Sequence, residues 1–95
     1  MAAYLIADIE IHDPRVYEEY KERASSSLKP FGGRYLARGG HHEVMEGNWR
    51  PTRLVLLEFP DMAALQRWYN SAEYAAAKPF RLASARSDFV ALEGV

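Results

Sequence analysis

Four short segments of the chain have the alternation of apolar and polar residues that is typical of β-strands. In YLIADIEI (residues 4–11) every second residue from Leu5 onwards is apolar, whereas Asp8 falls on the opposite face. The same reasoning predicts further strands over residues 34–38, 52–59 and 87–92. We also expect EVME (residues 43–46) to extend the second strand beyond a glycine bulge.

Two segments between these strands repeat apolar residues with the period of an α-helix. Asp13 and Pro14 predict the start of the first, because aspartate caps a helix and proline fits its first turn. The second is expected to begin at Pro60-Asp61. Ser71 can cap a further turn, and we expect Pro79 to kink or end the helix.

The resulting order, β-α-β-β-α-β, predicts an α+β fold of the ferredoxin-like class over a single domain, residues 1–95. Both helices would cover one face of a four-stranded antiparallel sheet. The other face is left open, and its strand residues are largely apolar. An apolar sheet face has to be covered, and a second copy of the chain is the simplest cover, so we expect a homodimer.

Composition narrows the classes of partner. The formal charge of −1 gives no reason to expect nucleic acid or an anionic membrane surface, and no apolar stretch is long enough for a membrane span. The chain has no cysteine, which excludes disulfides, thiolate metal sites and cysteine nucleophiles. We therefore expect a cytoplasmic protein that contacts neither nucleic acid nor membrane.

Several separated motifs resemble one protein family. They are GGRYLARGG (residues 32–40), MEG (45–47), RLVLLEFP (53–60), WYNSAEYAAAKPFR (68–81) and the closing LEG (92–94). In this order and spacing they resemble the family called domain of unknown function 1330, from Tyr4 to Gly94. The resemblance implies a dimeric α+β barrel, in which two ferredoxin-like sheets pack face to face. It implies no reaction, because the family is named for lacking one. Related barrels include cofactor-free monooxygenases, isomerases and haem-dependent enzymes, so the fold does not fix the chemistry.

Asp8 and Arg38 are the first candidates for catalytic residues. A carboxylate on a covered sheet face must be paired or have a raised pKa, which makes Asp8 a candidate base. Arg38 is its expected partner and would stabilise developing negative charge, provided that a bulge at Gly39-Gly40 turns it inward. The alternative is a structural Asp8–Arg38 pair at the dimer interface.

The segment that follows Arg38 carries further candidates. Gly39 and Gly40 form either a simple bulge or a set of backbone N–H groups that bind an anionic ligand. His41 is a candidate catalytic base, and an exposed loop histidine is the alternative. Adjacent histidines on an extended chain point in opposite directions, so His41 and His42 do not predict a metal site.

The second helical segment supplies candidate ligand contacts. Trp68 and Tyr69 lie on its apolar stripe, where core packing is the competing interpretation. Tyr74 and Arg81 are two turns apart and share a face if the helix continues past Pro79. They would then line the mouth of a pocket for an acidic small molecule, or else belong to a surface cluster of ion pairs.

Two functions are compatible with these residues. The first is a cofactor-independent enzyme that acts on a small carbonyl or carboxylate compound by proton transfer, with Asp8 or a histidine as base. The second is a non-catalytic, regulatory or small-molecule-binding dimer that uses the same pocket. We expect no cofactor and no metal in either case. RNA binding is excluded because no segment has the basic-aromatic pattern of an RNA-recognition motif.

Overall fold

The structure is a computed structural model that describes residues 1–95. In chain order its elements are β1 (Ala3–Ile11), α1 (Pro14–Leu28), β2 (Arg34–Arg38), β3 (Leu54–Phe59), α2 (Met62–Tyr69), α3 (Ala72–Ser84) and β4 (Ala85–Glu93). A short 3₁₀ turn, Lys29–Phe31, follows α1. The predicted β-α-β-β-α-β order is confirmed, with the second helical segment divided into α2 and α3.

The four strands form one antiparallel sheet in the order β2-β3-β1-β4. The long β1 lies in the middle and pairs with both β3 and β4, and this is the strand order of a ferredoxin-like fold. The register pairs Ile6 with Leu56 on β3 and with Val90 on β4. Because facing residues in a sheet share a side, these three side chains form one row across the sheet.

Local signals in the sequence start the helices where they were expected. The Asp13 carboxylate accepts a hydrogen bond from the Val16 N–H at 3.3 Å and caps α1. The Asp61 carboxylate does the same for α2 at the Ala64 N–H, at 2.8 Å. The Ser71 hydroxyl caps α3 by accepting from the Tyr74 N–H at 3.0 Å.

Pro79 does not end α3, which continues to Ser84. A proline inside a helix leaves the carbonyl four residues earlier without its partner, here that of Ala75. Both Ala75 and Pro79 are exposed, so water can satisfy that carbonyl. The opposite side of the helix is buried at Ala77 and Arg81, and its packing offsets the lost hydrogen bond.

The expected extension of β2 over residues 43–46 is wrong. Residues between Arg38 and Leu54 form a long irregular connection, the β2–β3 loop, with no strand of its own. This segment has no partner strand, because Arg38 already pairs with Val55 and β3 begins only one residue earlier, at Leu54. Its apolar residues therefore stay in water: Met45 is 85% exposed and Trp49 is 58% exposed.

The helices cover only one of the two faces of the sheet. Alternate β1 residues Leu5, Ala7 and Ile9 lie beneath the helices and are at most 4% exposed. They belong to a core of seventeen buried hydrophobic residues, drawn from the sheet and all three helices. The other face, which we call the open face, carries the Ile6 row and has no helix over it; Val90 in that row is 59% exposed.

Candidate functional site

A cavity lies between the helix-covered face of the sheet and α1. It encloses about 430 Å³, its open mouth included, and twelve of its fifteen lining residues are hydrophobic. The centres of water-sized molecules reach only about 30 Å³ of it, which is room for one or two waters. Its lining extends from Arg38 on β2 to Phe89 on β4, so the cavity crosses the sheet beneath α1.

Every charged side chain that lines this cavity is positively charged. Lys21 of α1, Arg38 of β2 and Arg53, next to β3, line it, and no aspartate, glutamate or histidine does. On the solvent side, Lys21 forms an ion pair with Glu18, with 2.9 Å between the Lys21 Nζ and the Glu18 Oε1. Neither arginine has a carboxylate partner. Uncompensated positive charge beside an apolar cavity favours an anion.

Arg53 is the most constrained of the three cations. Its Nε is buried and has no hydrogen-bond partner, and its guanidinium lies 5.8 Å from the centre of the Tyr17 ring. Burial raises the pKa of the Tyr17 hydroxyl and outweighs the opposing effect of Arg53, so the phenol stays neutral. A buried N–H without an acceptor is costly, so Arg53 would gain from any acceptor oxygen that reached its Nε.

Gly39 makes room for this arginine. Its φ is +70°, in the left-handed region, and a side chain at this position would collide with the Arg53 guanidinium. The Gly39 N–H already donates to the Leu54 carbonyl at 2.8 Å. It is therefore not free to bind an anion, as the alternative interpretation of Gly39-Gly40 required. No neighbouring atom crowds Gly40, which is exposed.

The expected contact between Asp8 and Arg38 is wrong. A bulge lies between Tyr35 and Ala37, earlier in the chain than the predicted one at Gly39-Gly40. Because of the extra residue, Arg38 pairs with the buried Val55 and so faces the helices. Its guanidinium lies 4.4 Å from the centre of the Tyr35 ring and donates to the Ser25 hydroxyl at 3.1 Å. Arg38 thus bridges β2 and α1 across the cavity.

Asp8 is on the open face, as its strand parity predicts, but it holds the β2–β3 loop. Its carboxylate accepts hydrogen bonds from the Thr52 N–H at 2.9 Å and from the Trp49 indole at 3.1 Å. Partial burial tends to raise the pKa of the Asp8 carboxyl, but these hydrogen bonds outweigh it and the pKa lies below its ordinary value of 3.8. A carboxylate with a lowered pKa is a weak base.

Replacing Asp8 with alanine is expected to lower the melting temperature by roughly 2–5 °C at neutral pH, because both loop hydrogen bonds are lost. The folded pKa of Asp8 lies below the unfolded one, so its stabilisation is complete above the unfolded value. It is lost as the pH falls through the folded pKa. Thermal melts from pH 7 to pH 2.5 should therefore show the variant and the wild type converging in acid.

The matched control for that change is Asp88→Ala. Asp88 pairs with Asp8 on the neighbouring strand and is exposed on the same face, but it holds no loop residue. Its loss should not lower the melting temperature, since it removes a like-charge neighbour. An equal effect of the two substitutions, or a difference between Asp8→Ala and wild type that does not shrink between pH 7 and pH 2.5, would contradict the assignment.

The two histidines of the loop point to different partners. His41 is exposed, and its Nε2 lies 3.0 Å from the Glu43 carboxylate. The Nε2 of His42 lies 3.0 Å from the Pro51 carbonyl, and its charge contributes to the lowered pKa of Asp8. His42 rather than His41 is thus the histidine near Asp8. No group of three or more histidine, aspartate or glutamate residues is arranged to hold a metal ion.

The aromatic candidates lie within the protein rather than on its surface. Trp68 is 1% exposed, and its indole N–H donates to the Ser27 hydroxyl at 2.8 Å. The core-packing interpretation of Trp68 is therefore confirmed, although its ring also lines the cavity. Tyr69 is half-buried, does not line the cavity, and accepts a hydrogen bond from Lys78 at 3.1 Å.

Tyr74 and Arg81 share a face of α3, as predicted, but they do not line a pocket mouth or a surface cluster. Tyr74 is 0% exposed and Arg81 is 6% exposed, and the Arg81 Nε–H donates to the Tyr74 hydroxyl at 3.1 Å. The expectation of a rim position is wrong because α3 packs this face against α1 and β4, where Tyr20 and Ser87 supply further hydroxyl groups.

Sequence reasoning overlooked Arg53, although its position carries a signal. Arg53 stands two residues before Val55 and four before Leu57, so strand parity puts it on the buried face. An arginine in phase with a hydrophobic strand face indicates a charge at the edge of the core. Lys21 and Tyr20 gave a weaker signal, because they lie on the stripe of α1 that any core helix would show.

Several solved structures share the fold of this protein. A protein of unknown function from Rhodopseudomonas palustris is 16% identical, with a TM-score of 0.77, 99% of this chain covered and 82% of that one. SnoaB, a cofactor-independent oxygenase from Streptomyces nogalater, is 10% identical, with a TM-score of 0.68 and coverage of 99% and 93%. A dimeric ferredoxin-like protein of unknown function from Jannaschia sp. CCS1 is 19% identical, with a TM-score of 0.66 and coverage of 99% and 100%.

At these identities the similarity shows the fold alone. No protein of curated function matches the sequence. None of the helices is long and apolar enough to cross a membrane. The sequence profile of one family matches residues 2–95, which is nearly the whole chain, and confirms the resemblance of its motifs: the protein belongs to the DUF1330 family, a domain of unknown function.

Proposed function

We propose that the protein binds a small amphipathic organic anion in the cavity between α1 and the sheet. The observation that carries this proposal is the buried, unpartnered Nε of Arg53, in a cavity with three cations and no carboxylate. The apolar lining would take up the hydrocarbon part of the ligand, and Arg53 with Arg38 and Lys21 would bind its anionic group. In this conformation the cavity has room for only one or two waters, so the ligand would enter by displacing the exposed Arg38 side chain and widening the space beneath α1.

The protein acts as a homodimer in this proposal. The open face carries an apolar row that a second copy would cover, and similar folds from Jannaschia sp. CCS1 and Bacteroides fragilis are described as dimeric. The cavity lies on the opposite side of the sheet from this face. Each subunit therefore has its own cavity, and sheet-to-sheet contact does not block it.

The geometry favours binding over proton transfer by Asp8. Asp8 and the cavity lie on opposite faces of the sheet, and the lowered pKa of Asp8 makes it a poor base. Oxygenase activity is the second candidate, supported by the fold shared with SnoaB and with a putative antibiotic biosynthesis monooxygenase from Nitrosomonas europaea. Oxygen uptake with a panel of phenolic acids tests it, and uptake that saturates with the phenolic acid would support it.

The binding proposal is tested with a pair of probes of equal shape, 1-naphthoate and its neutral amide, 1-naphthalenecarboxamide. We expect the wild type to bind the anion more tightly in calorimetric titration. Arg53→Gln should weaken binding of the anion by about tenfold or more, since a hydrogen bond between charged groups is lost, and should weaken binding of the amide much less.

Arg50→Gln is the matched control for Arg53→Gln. Arg50 is an exposed arginine of the same loop that donates only to backbone carbonyls. Its loss should change neither affinity. Equal affinities of the wild type for the two probes, or an Arg53→Gln variant that keeps its preference for the anion, would overturn the proposal.

A further inference from the structure

Arg81 is a buried cation without a counter-ion. It is 6% exposed and forms no ion pair with any carboxylate. Its guanidinium donates to the hydroxyls of Tyr74 and Ser87 and lies 4.2 Å from the centre of the Phe89 ring. A guanidinium satisfied by hydroxyls alone polarises the groups it contacts, because no nearby negative charge cancels its field.

Tyr74 shares a hydrogen bond with Tyr20, and its direction decides which of the two hydroxyl hydrogens is left without an acceptor in the protein. The Tyr74 oxygen accepts from Arg81, and the Tyr20 oxygen lies 3.0 Å away. If Tyr20 donated to Tyr74, the hydrogen of Tyr74, which is 0% exposed, would have no acceptor. With Tyr74 as the donor, the hydrogen left over is that of Tyr20, which needs an acceptor other than the protein's own groups.

The Tyr20 side chain lines the cavity, which is where such an acceptor can be. Burial, and then the neighbouring Tyr74, raise the pKa of the Tyr20 hydroxyl above its ordinary value, so that the phenol remains a neutral donor. Phe89 touches both the cavity and the Arg81 guanidinium. The chain of hydrogen bonds from Arg81 through Tyr74 thus ends at the β4 side of the cavity.

We propose that the Tyr20 hydroxyl is a second recognition point, which donates a hydrogen bond to an acceptor oxygen of the ligand at the inner end of the cavity. Arg81 and Tyr74 are positioning residues that orient this hydrogen. The inference rests on the proposed function and narrows its ligand class to organic acids that carry a carbonyl or ether oxygen remote from the anionic group.

The strands that line the cavity keep the two recognition points apart. Arg38 is on β2 and Phe89 is on β4, with two strands between them. Three strand spacings of about 4.8 Å give a separation of roughly 14 Å across the sheet. Arg38 and Arg53 belong to the β2 and β3 side, whereas Tyr20 is tied to α3 through Tyr74. The anionic group and the acceptor oxygen would therefore lie at different ends.

The test compares 4-acetylbenzoate with 4-isopropenylbenzoate, which has nearly the same shape but a methylene in place of the carbonyl oxygen. We expect the wild type to bind the acetyl compound about threefold to tenfold more tightly. Tyr20→Phe should abolish this preference without lowering the affinity for the isopropenyl compound. Tyr74→Phe should reduce the preference, because the Tyr20 hydrogen is no longer oriented away from α3.

Tyr69→Phe is the matched control, since Tyr69 is a neighbouring tyrosine whose hydroxyl contacts Lys78 outside the cavity. The Tyr69→Phe variant should keep the preference for 4-acetylbenzoate over 4-isopropenylbenzoate. A measurement on the wild type alone is the infrared stretch of ¹³C-labelled acetyl carbonyl, which should move to lower wavenumber on binding. A Tyr20→Phe variant that keeps the preference, a wild type without it, or an unshifted carbonyl band would overturn the inference.

Failure of this inference can be told from failure of the proposed function. Suppose that Arg53→Gln lowers the affinity for 1-naphthoate but Tyr20→Phe keeps the preference for 4-acetylbenzoate. The proposed cationic site is then supported, and the role of Tyr20 is contradicted. If the wild type binds 1-naphthoate and its amide with equal affinity, the proposed cationic site itself is contradicted.

Discussion

Replacing Trp68 with alanine is expected to destabilise the fold by about 3–5 kcal/mol and to lower the melting temperature by more than about 10 °C. The Trp68 ring is buried beside Phe59 and Tyr74, with ring centres 5.3 Å and 4.3 Å away. Its removal leaves a cavity where the sheet, α1 and α3 meet. The Ser27 hydroxyl also loses its hydrogen-bond donor. Urea unfolding followed by far-ultraviolet circular dichroism, at one protein concentration, measures the effect.

Two further variants make this prediction falsifiable if Trp68→Ala does not fold. Trp68→Phe keeps most of the ring and should cost about 1–3 kcal/mol, from the lost indole hydrogen bond and the smaller volume. Trp49→Ala removes the other tryptophan, which is 58% exposed and donates to Asp8, and should cost only about 0.5 kcal/mol. If Trp49→Ala proved as damaging as Trp68→Phe, the assignment of Trp68 to the core would not explain the stability of the protein.

Replacing Ile6 with glutamate is expected to convert the proposed dimer into monomers at micromolar concentration. Ile6 is at the centre of the open face, between Leu56 and Val90. A two-fold axis through this face would bury two unpaired carboxylates, one from each subunit. Each buried charge costs several kcal/mol, so we expect the dimer to weaken by at least about a thousandfold, or roughly 4 kcal/mol.

Sedimentation velocity of the wild type and the variant measures this change. An interface on the open face should bury more than about 1,000 Å² in the wild-type dimer. Leu82→Glu is the matched control, because Leu82 is 62% exposed on α3 and lies in the helix layer, away from the open face. That variant should remain dimeric. A monomeric wild type would contradict the dimer, and a dimeric Ile6→Glu variant would put the interface elsewhere.

The site residues illustrate how one backbone irregularity changes a functional hypothesis. Tyr35 pairs with the buried Leu57 and faces the helices, so regular alternation from it would put Arg38 on the open face with Asp8. The bulge between Tyr35 and Ala37 reverses this parity and carries Arg38 to the helix side. The sequence indicated that this segment needs an irregularity, through its glycines, but not at which residue the ladder would shift.

What the sequence alone determined is the set of features that depend on neighbours along the chain. The period of its apolar residues specified the strands and helices, and Asp13, Asp61 and Ser71 specified where the helices begin. The connection order then left few topologies, because short antiparallel connections allow few arrangements. Its separated motifs were also sufficient to indicate the DUF1330 family.

The tertiary structure alone decided which distant side chains meet. Arg81, Tyr74 and Tyr20 come from α3 and α1, and their hydrogen bonds depend on how these helices pack. The pairing of Asp8 with the β2–β3 loop depends on where a long irregular segment folds back. Period and propensity describe one segment at a time, whereas a bulge, a loop path and a helix–helix contact are set by the energy of packing several segments together. The cationic cavity follows from that packing, because Lys21, Arg38 and Arg53 come from three separate segments.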